Sequence, residues 1–571
     1  MYLLHPFIFA IYPSLFLFFK NFKTVSSKEL YLPLAVSLFL SSILILVFKF
    51  FLKDSKKATI LTSTFLILFF SFGYYLKLIN HLPLLTFSAL SGLVVICLFS
   101  LIIFSFKKYS RVEKGLSWAK VILAFAALLL IYTYSIDFIT KILSVSSLKL
   151  SRSDILLLTF AILFAVVFLL IKNRKNVTVI TSLLNFSAVS LIVVLFFSLL
   201  FNIQTNPSRE KTNVEDIIKE QEIGEKPNIY YIVLDGYGRS DVISKFYGYD
   251  NSRFINFLQT NGFYVEKNAY SNYSQTELSL SSSLNMDYIQ DIVKNLDKNS
   301  DDKKILYDLI QKNQVVSFLK NIGYKFVSVS SGDSNTEFYN ADLYLQDQSS
   351  FLTEFRNSLI NTTPITSVPI KAVKNLQYEF HRTKIKYSFS VPEKINNGNI
   401  PIFAFIHILS PHPPFVFKSD FSQVNPNIPY SLADGSHFLK TSPKSDYIFG
   451  YKQQAEFVSK KTQEMISKII KNPSESTIII IQGDHGPGSE LDQDSALNSN
   501  AKERMPILNA IRAPKLTRNK IGGTSTPVNT FRIIFNEYFN TGFDILPEKS
   551  YLSSYPKPYD FFDITQEVSQ E

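Results

Sequence analysis

The first 200 residues alternate long apolar runs with short polar ones, and the rest of the chain does not. Seven runs approach the roughly 20 residues needed to cross a bilayer: 3–19, 30–52, 59–79, 84–106, 117–136, 153–171 and 178–201. The first has no basic residue before it and no small-x-small cleavage site, so it reads as an anchor rather than a signal peptide. Asp137 and Lys141 cut short the fifth. Residues 202–226 are polar and of mixed charge, as a linker is. The pattern therefore predicts a transmembrane domain over 1–201, a linker over 202–226 and a water-exposed domain over 227–571.

In that last part the apolar runs are short and stop at polar residues. Strands are expected at 228–234, 325–330, 402–406, 478–481 and 505–511. Helices are expected at 253–261, 304–323, 457–471 and 529–539. The run Ile478-Ile479-Ile480-Ile481 has no polar alternation, which fits a strand covered on both faces. Strands and helices in this order predict an α/β domain with a mostly parallel sheet and helices on both faces. Ser274-Gln275-Thr276-Glu277 fits a capping box, so a helix should begin near Gln275 with Thr276 in its first turn. Residues 340–395 carry no clear period and read as an insertion over or beside the site.

Charge sharpens the membrane reading. The formal charge is +11, and much of the basic charge in the first part lies between apolar runs. Lys53, Lys56 and Lys57 follow the second run. Lys107, Lys108, Arg111 and Lys114 follow the fourth, and Lys172, Arg174 and Lys175 follow the sixth. The positive-inside rule puts these loops in the cytoplasm and residues beyond 201 outside. Lys20, Lys23 and Lys28, and Lys141, Lys149 and Arg152, pull the other way. No basic stripe is interleaved with aromatics and no zinc-finger spacing occurs, which argues against nucleic acid. The single cysteine, Cys97, excludes an intrachain disulfide and a cysteine-based metal site. His5 and His81 fall at span ends and read as interfacial.

The candidate chemistry sits at strand ends. Asp235 follows the first soluble strand, Asp484 and His485 follow the isoleucine strand, and His412 lies between prolines after the 402–406 strand. In an open α/β sheet, such ends converge on one crevice. Asp, Asp and His suit a borderline divalent ion, Zn²⁺ or Mn²⁺ first and Mg²⁺ or Ca²⁺ second. A metal activates a hydroxyl that is otherwise a poor nucleophile. Thr276, in the first turn of a helix, offers that hydroxyl where an anion is favoured. These parts describe displacement at phosphorus or sulfur through a threonine ester. His407 reads first as a hydrogen-bonded structural histidine and second as a substrate contact. His437 and Arg504 rank with it as secondary substrate-binding candidates.

The order of these motifs resembles the alkaline phosphatase/sulfatase superfamily, in particular its membrane-anchored branch of lipoteichoic acid synthases and lipid A phosphoethanolamine transferases. The resemblance covers residues 225–545. It rests on Leu234-Asp235-Gly236, Gln275-Thr276 with Leu284-Asn285, Pro411-His412-Pro413-Pro414-Phe415 and Gly483-Asp484-His485-Gly486. It implies that Asp235, Asp484, His485 and Thr276 bind one metal ion, that Thr276 is also the nucleophile, and that His412 contacts the transferred group or the leaving oxygen. Asp235 stands where the transferases usually have Glu. Thr276-Glu277-Leu278-Ser279-Leu280 lacks the Pro and Arg of formylglycine sulfatases, which argues against ordinary sulfate-ester hydrolysis. The implied activity is transfer of a phospho-alcohol group, of phosphoethanolamine or phosphoglycerol type, from a membrane phospholipid to an extracytoplasmic glycan or lipid. A hydrolase using the same site is the alternative, and a non-catalytic sensor or transporter a third reading.

Overall fold

The computed structural model describes residues 4–20, 28–81, 152–204, 226–293, 296–333, 335–347, 354–367, 371–395, 398, 400–428, 430–471, 477–516 and 526–569. The chain forms two units. One comprises Met1–Ser208 together with Glu354–Val373, and the other comprises Arg209–Thr353 together with Lys374–Glu571.

The first unit is a bundle of α1 (Leu4–Lys20), α2 (Lys28–Leu52), α3 (Ser55–His81), α4 (Arg152–Asn173) and α5 (Thr178–Gln204). Four of these, α2 to α5, are long and apolar enough to cross a membrane, and α1 is a shorter apolar helix. Large apolar side chains face outward on them, among them Leu46, Phe50, Val179 and Phe186. Such a surface is stable in lipid and not in water. The runs expected at 84–106 and 117–136, Cys97 within them, and most of the linker lie outside the described residues. His5 is the second residue of α1. It is fully buried, with Nδ1 2.6 Å from Ser63 Oγ and its backbone N–H donating to Asn185 Oδ1 at 3.1 Å. Polar partners from α3 and α5 are what make that position tolerable.

The second unit is built on a seven-stranded sheet. Its strands are β1 (Ile229–Leu234), β2 (Tyr264–Val265), β3 (Lys325–Val329), β4 (Leu343–Leu345), β5 (Ile402–Ile408), β6 (Ile478–Gln482) and β7 (Asn509–Arg512), in the order β2-β7-β6-β1-β5-β3-β4. All neighbours are parallel except β7, which runs antiparallel to β6 and β2. Alternate residues of β1 enter two separate cores. Tyr230, Ile232 and Leu234 pack on one face with Tyr451, Phe457 and Met465 of the helix Lys444–Lys471. Ile229, Tyr231 and Val233 pack on the other with Phe531 and Phe535 of the helix Thr530–Phe539. Both faces are covered, so the central strands read as continuous apolar runs.

Several boundaries moved for local reasons. The helix expected over 304–323 is two helices, Lys304–Gln311 and Gln314–Asn321. Asn313 breaks it by capping the second, its Oδ1 accepting from the Val316 N–H at 2.8 Å. The strand expected over 505–511 is regular only over Asn509–Arg512, with Pro506 and Ile507 making isolated bridges to Tyr270 and Gly238, and the helix before β6 begins earlier, at Lys444. The capping box does not form: Gln275 holds the N-cap position without a side-chain cap bond, and Glu277 faces Lys303 instead. The stretch 340–395 is largely ordered as β4 and the helices Glu354–Asn361 and Lys371–Ser390.

Ile480 is fully buried between Tyr231 of β1 and Ile511 of β7. Ile480→Ala should cost about 2–5 kcal/mol through lost transfer energy and the cavity left behind. Thermal melting of the purified full chain checks this as a fall in the unfolding temperature of the second unit.

Candidate active site

Strand register brings the chemical groups together. β1 lies between β5 and β6, with Val233 opposite both His407 and Gln482. Asp235 extends the pairing by one step, its N–H donating to Ile408 O at 3.0 Å. Gly236 then turns with φ +72, where a Cβ would lie 3.8 Å from His412 Cα. Its N–H donates to Asp484 Oδ1 at 3.0 Å and so fixes the carboxylate that follows β6. Gly486 is the second obligatory glycine, since a Cβ there would sit 2.6 Å from Glu503 O. The carbonyl of Gly486 thereby approaches the His485 ring and accepts from its Nδ1 at 2.9 Å. That bond puts the proton on Nδ1 and leaves the Nε2 lone pair facing the site.

Around this Nε2 the candidate groups converge. Thr276 Oγ1 is 3.1 Å away, Asp484 Oδ2 3.4 Å and Asp235 Oδ1 3.5 Å. Thr276 is the first residue of its helix, Thr276–Asn285. On the other side of Asp235, His407 Nε2 lies 3.5 Å from Oδ2, while its Nδ1 is held 2.9 Å from Thr336 Oγ1. Ligand atoms of Asp235, His407 and Asp484 all lie within 4.8 Å of one another, and the three residues are buried. Asp235 Oδ1, Asp484 Oδ2 and His407 Nε2 have no hydrogen-bond partner. Buried carboxylate oxygens left unpaired side by side are costly unless a cation joins them. The donor set therefore fits a divalent metal ion.

The electrostatics agree with the geometry. Burial pushes the Asp235 carboxyl up, but His412, His407 and His485 outweigh it and hold it below the usual carboxylate range. The two flanking histidines move apart. Burial lowers His407, yet Asp235 more than offsets this and raises it. Burial, helped by Arg504, keeps His485 below its ordinary value.

His412 stands on the loop after β5, its Nδ1 2.6 Å from Pro413 O and its Nε2 3.9 Å from Asp434 Oδ2. Asp434 is almost fully buried and accepts from Arg504 Nη1 at 2.7 Å and from Tyr447 Oη at 2.6 Å. Arg504, also fully buried, donates as well to Gly486 O at 3.0 Å and to Ser274 O at 2.9 Å. It thus ties the Asp484-His485 loop to the segment carrying Thr276. Arg504 makes no pair with Glu503, which takes N–H and hydroxyl donors from Ser489 and Glu490. His437 goes elsewhere: it pairs with Asp494 at 3.0 Å on the surface.

Three parts of the site escaped sequence reasoning. Asp434 sits three residues before His437, in a stretch where the histidine drew attention and the acid did not. Asp333, on the loop after β3, is raised to about 6, by burial first, with Glu277 and Asp235 adding and His407 opposing. The third part is the C-terminal tail. Ser553 and Ser554 accept from Gln275 Nε2 at 3.1–3.2 Å, and Tyr555 lies under Lys303 with Nζ 4.6 Å from its ring centre. Lys303 Nζ also donates to Gln275 Oε1 at 3.1 Å, so Gln275, the residue before Thr276, is held from both sides. A tail with no chemical motif gives no sequence signal for such a role.

A parallel sheet whose strand ends gather carboxylates, imidazoles and a helix-borne hydroxyl defines an enzyme of the alkaline phosphatase/sulfatase type. Residues 227–524, just over half of the chain, match the Sulfatase family model, and the chain belongs to that family. No curated protein matches the chain. Among solved structures it is similar to the soluble domain of lipooligosaccharide phosphoethanolamine transferase A from Neisseria meningitidis, with 10% identity, 56% of this chain and 90% of that one covered, and a TM-score of 0.37. A second is the zinc complex of the C-terminal periplasmic domain of EcEptC from Escherichia coli, with 12% identity, 62% and 98% covered, and a TM-score of 0.39. The integral membrane form of the Neisseria meningitidis transferase is similar over 94% of this chain and 96% of that one, with 12% identity and a TM-score of 0.37.

The buried Asp434–Arg504 pair yields a stability prediction. Asp434→Asn leaves the Arg504 charge uncompensated and should cost about 3–5 kcal/mol. Burial raises the Asp434 carboxyl, but Arg504 and His412 bring it down to about 2 from an ordinary 3.8. A depressed acid adds stability above its ordinary value, and that stability is lost as pH falls through the folded one. Melting temperatures of the wild type and Asp434→Asn should therefore differ near neutrality and draw together in acid.

Proposed function

We propose that this protein is a membrane-embedded, metal-dependent transferase that moves a phospho-alcohol group from a phospholipid to an extracytoplasmic glycan or lipid through an ester on Thr276. One observation carries the reading: the Thr276 hydroxyl, at the first position of a helix, meets His485 Nε2 at 3.1 Å beside the unpaired oxygens of Asp235 and Asp484. The four helices among the described residues that are long and apolar enough to cross a membrane support a lipid donor. The catalytic half belongs outside, because the basic residues Lys53, Lys56, Lys57, Lys172, Arg174 and Lys175 flank the opposite turns of the bundle.

Asp235, Asp484, His485 and Thr276 would hold the ion, with His407 closing its far side. When bound, it lowers the pKa of the threonine hydroxyl and offsets charge on the phosphoryl oxygens. The chain's own residues do the rest. In the first half-reaction Thr276 Oγ1, its proton already lost to solvent, bonds to phosphorus and the bond from phosphorus to the diacylglycerol oxygen breaks; in the second it leaves as the same deprotonated oxygen. That oxygen takes up a proton delivered by His412. In the second half-reaction the acceptor hydroxyl gives its proton back to His412 and attacks phosphorus, and Thr276 Oγ1 departs. The free N–H groups of the helix's first turn favour the anionic group at that point.

Thr276→Ala should abolish turnover and the covalent adduct together. Intact-mass spectrometry after exposure to membrane lipids should show an added phospho-alcohol mass on the wild type alone. A Thr276→Ala variant with full activity would refute the ester. Treatment with a chelator should remove activity, and Zn²⁺ or Mn²⁺ should restore it. With labelled phospholipid and no acceptor, rapid release of the head group would identify a hydrolase instead.

A further inference from the structure

The bundle contains a piece of chain that does not come from the membrane half of the sequence. Residues 354–367 lie between β4 and β5 in sequence, yet they fold as part of the first unit. The helix Glu354–Asn361 packs on α1 and α2, and the turn Pro364–Ser367 packs on α3 and α4. Leu359 is buried in one cluster with Phe9, Ala10, Leu66, Phe70 and Ala188. Phe355, one turn earlier on the same face, is also buried. Arg356 Nε reaches Glu29 Oε2 at the start of α2, at 3.4 Å.

The contact with α3 is closest at Gly73. Its N–H donates to Thr362 O at 2.8 Å, and any Cβ at this position would lie 1.8 Å from Asn361 O. Only glycine lets the two backbones meet. The segment also satisfies its own terminal carbonyls, as chain placed among membrane helices must. Thr362 and Thr363 are buried, and their hydroxyls donate to Leu359 O and Ile360 O, each at 2.7 Å.

The place of docking is informative. Lys57 Nζ donates to Lys172 O at 2.9 Å, which joins the α2–α3 and α4–α5 turns at one end of the bundle. Those turns carry Lys53, Lys56, Lys57, Lys172, Arg174 and Lys175, against Lys20, Lys23 and Lys28 from the end of α1 to the start of α2. Glu29 and Gly73 belong to the opposite ends of α2 and α3. A segment from inside the catalytic sequence therefore seats at the end away from the basic turns, the end that faces outward under the positive-inside rule.

We propose that residues 354–367 are a second membrane attachment of the catalytic sequence, a helix and turn seated in the outer end of the bundle and independent of the 202–226 linker. The chain is then held to the bundle twice, once through the linker and once through this insertion. The test uses the full chain in membranes, with a site for a sequence-specific protease placed in the linker. After cleavage and a high-salt wash, the C-terminal fragment of the wild type should sediment with the membranes. With Phe355→Asp and Leu359→Asp together, which leave the bundle helices unaltered, it should move to the supernatant. Gly73→Leu should do the same, with detergent-solubilised size-exclusion chromatography confirming that the bundle fragment stays monodisperse. Release of the wild-type fragment would overturn the proposal. So would equal retention of the wild-type and doubly substituted fragments, since adhesion would then not depend on the docked face.

Discussion

Two buried carboxylates that cannot satisfy each other set the terms for the catalytic half. Asp235 and Asp484 follow adjacent strands, both are nearly inaccessible, and one oxygen of each lacks a hydrogen-bond partner. Leaving such groups bare costs several kcal/mol each. Every neighbour reads as an answer to that cost. Gly236 offers an N–H to one Asp484 oxygen, His407 and His485 flank Asp235, and the remaining lone pairs converge where a cation would sit. The fold tolerates this charge because two hydrophobic cores on either side of the sheet hold the strand ends in place.

Arg504 and Asp434 extend the same logic one step outward. Through Nε and Nη1 the guanidinium donates to Asp434, Gly486 O and Ser274 O, three points on three separate stretches of chain. It holds apart and in register the loop with His485 and the segment with Thr276. Its charge also helps keep His485 neutral. A residue ranked by sequence as a secondary substrate-binding candidate thus bears on Thr276 and His485 through the backbone beside them. On the far side of Thr276, Gln275 is gripped by Lys303 and the 553–555 tail. The hydroxyl is positioned from its buried and its outer side at once.

Legibility in the sequence followed covalent locality. Asp235, Asp484 and His485 could be singled out because they lie within four residues of an apolar run's end, and a strand end in a parallel sheet is a known place for ligands. Thr276 was readable for its helix start, although the capping box that suggested it does not form. Asp434 and Tyr555 were not readable, since their roles depend on contacts with residues 70 or more positions away or across the whole domain. The weak period over 340–395 had a physical cause. Part of that stretch packs with the helices of the bundle and part pairs with β3, so no single periodicity runs through it.

The histidine tautomers carry the argument for a metal one step further. The Nδ1 proton of His485 is committed to Gly486 O, so its Nε2 presents a lone pair to two carboxylates. A lone pair facing anions is repulsive; the Thr276 hydroxyl, 3.1 Å away, can donate to it, and a cation there would offset both carboxylates. Burial and Arg504 oppose the proton at His485, whereas Asp235 draws one onto His407. A divalent ion would need no such division: His407 and His485 could offer it lone pairs, and Asp235 and Asp484 charge. Proton and metal therefore compete for one set of atoms, and the arrangement that excludes the proton from His485 is the one that leaves Thr276 beside an unprotonated nitrogen.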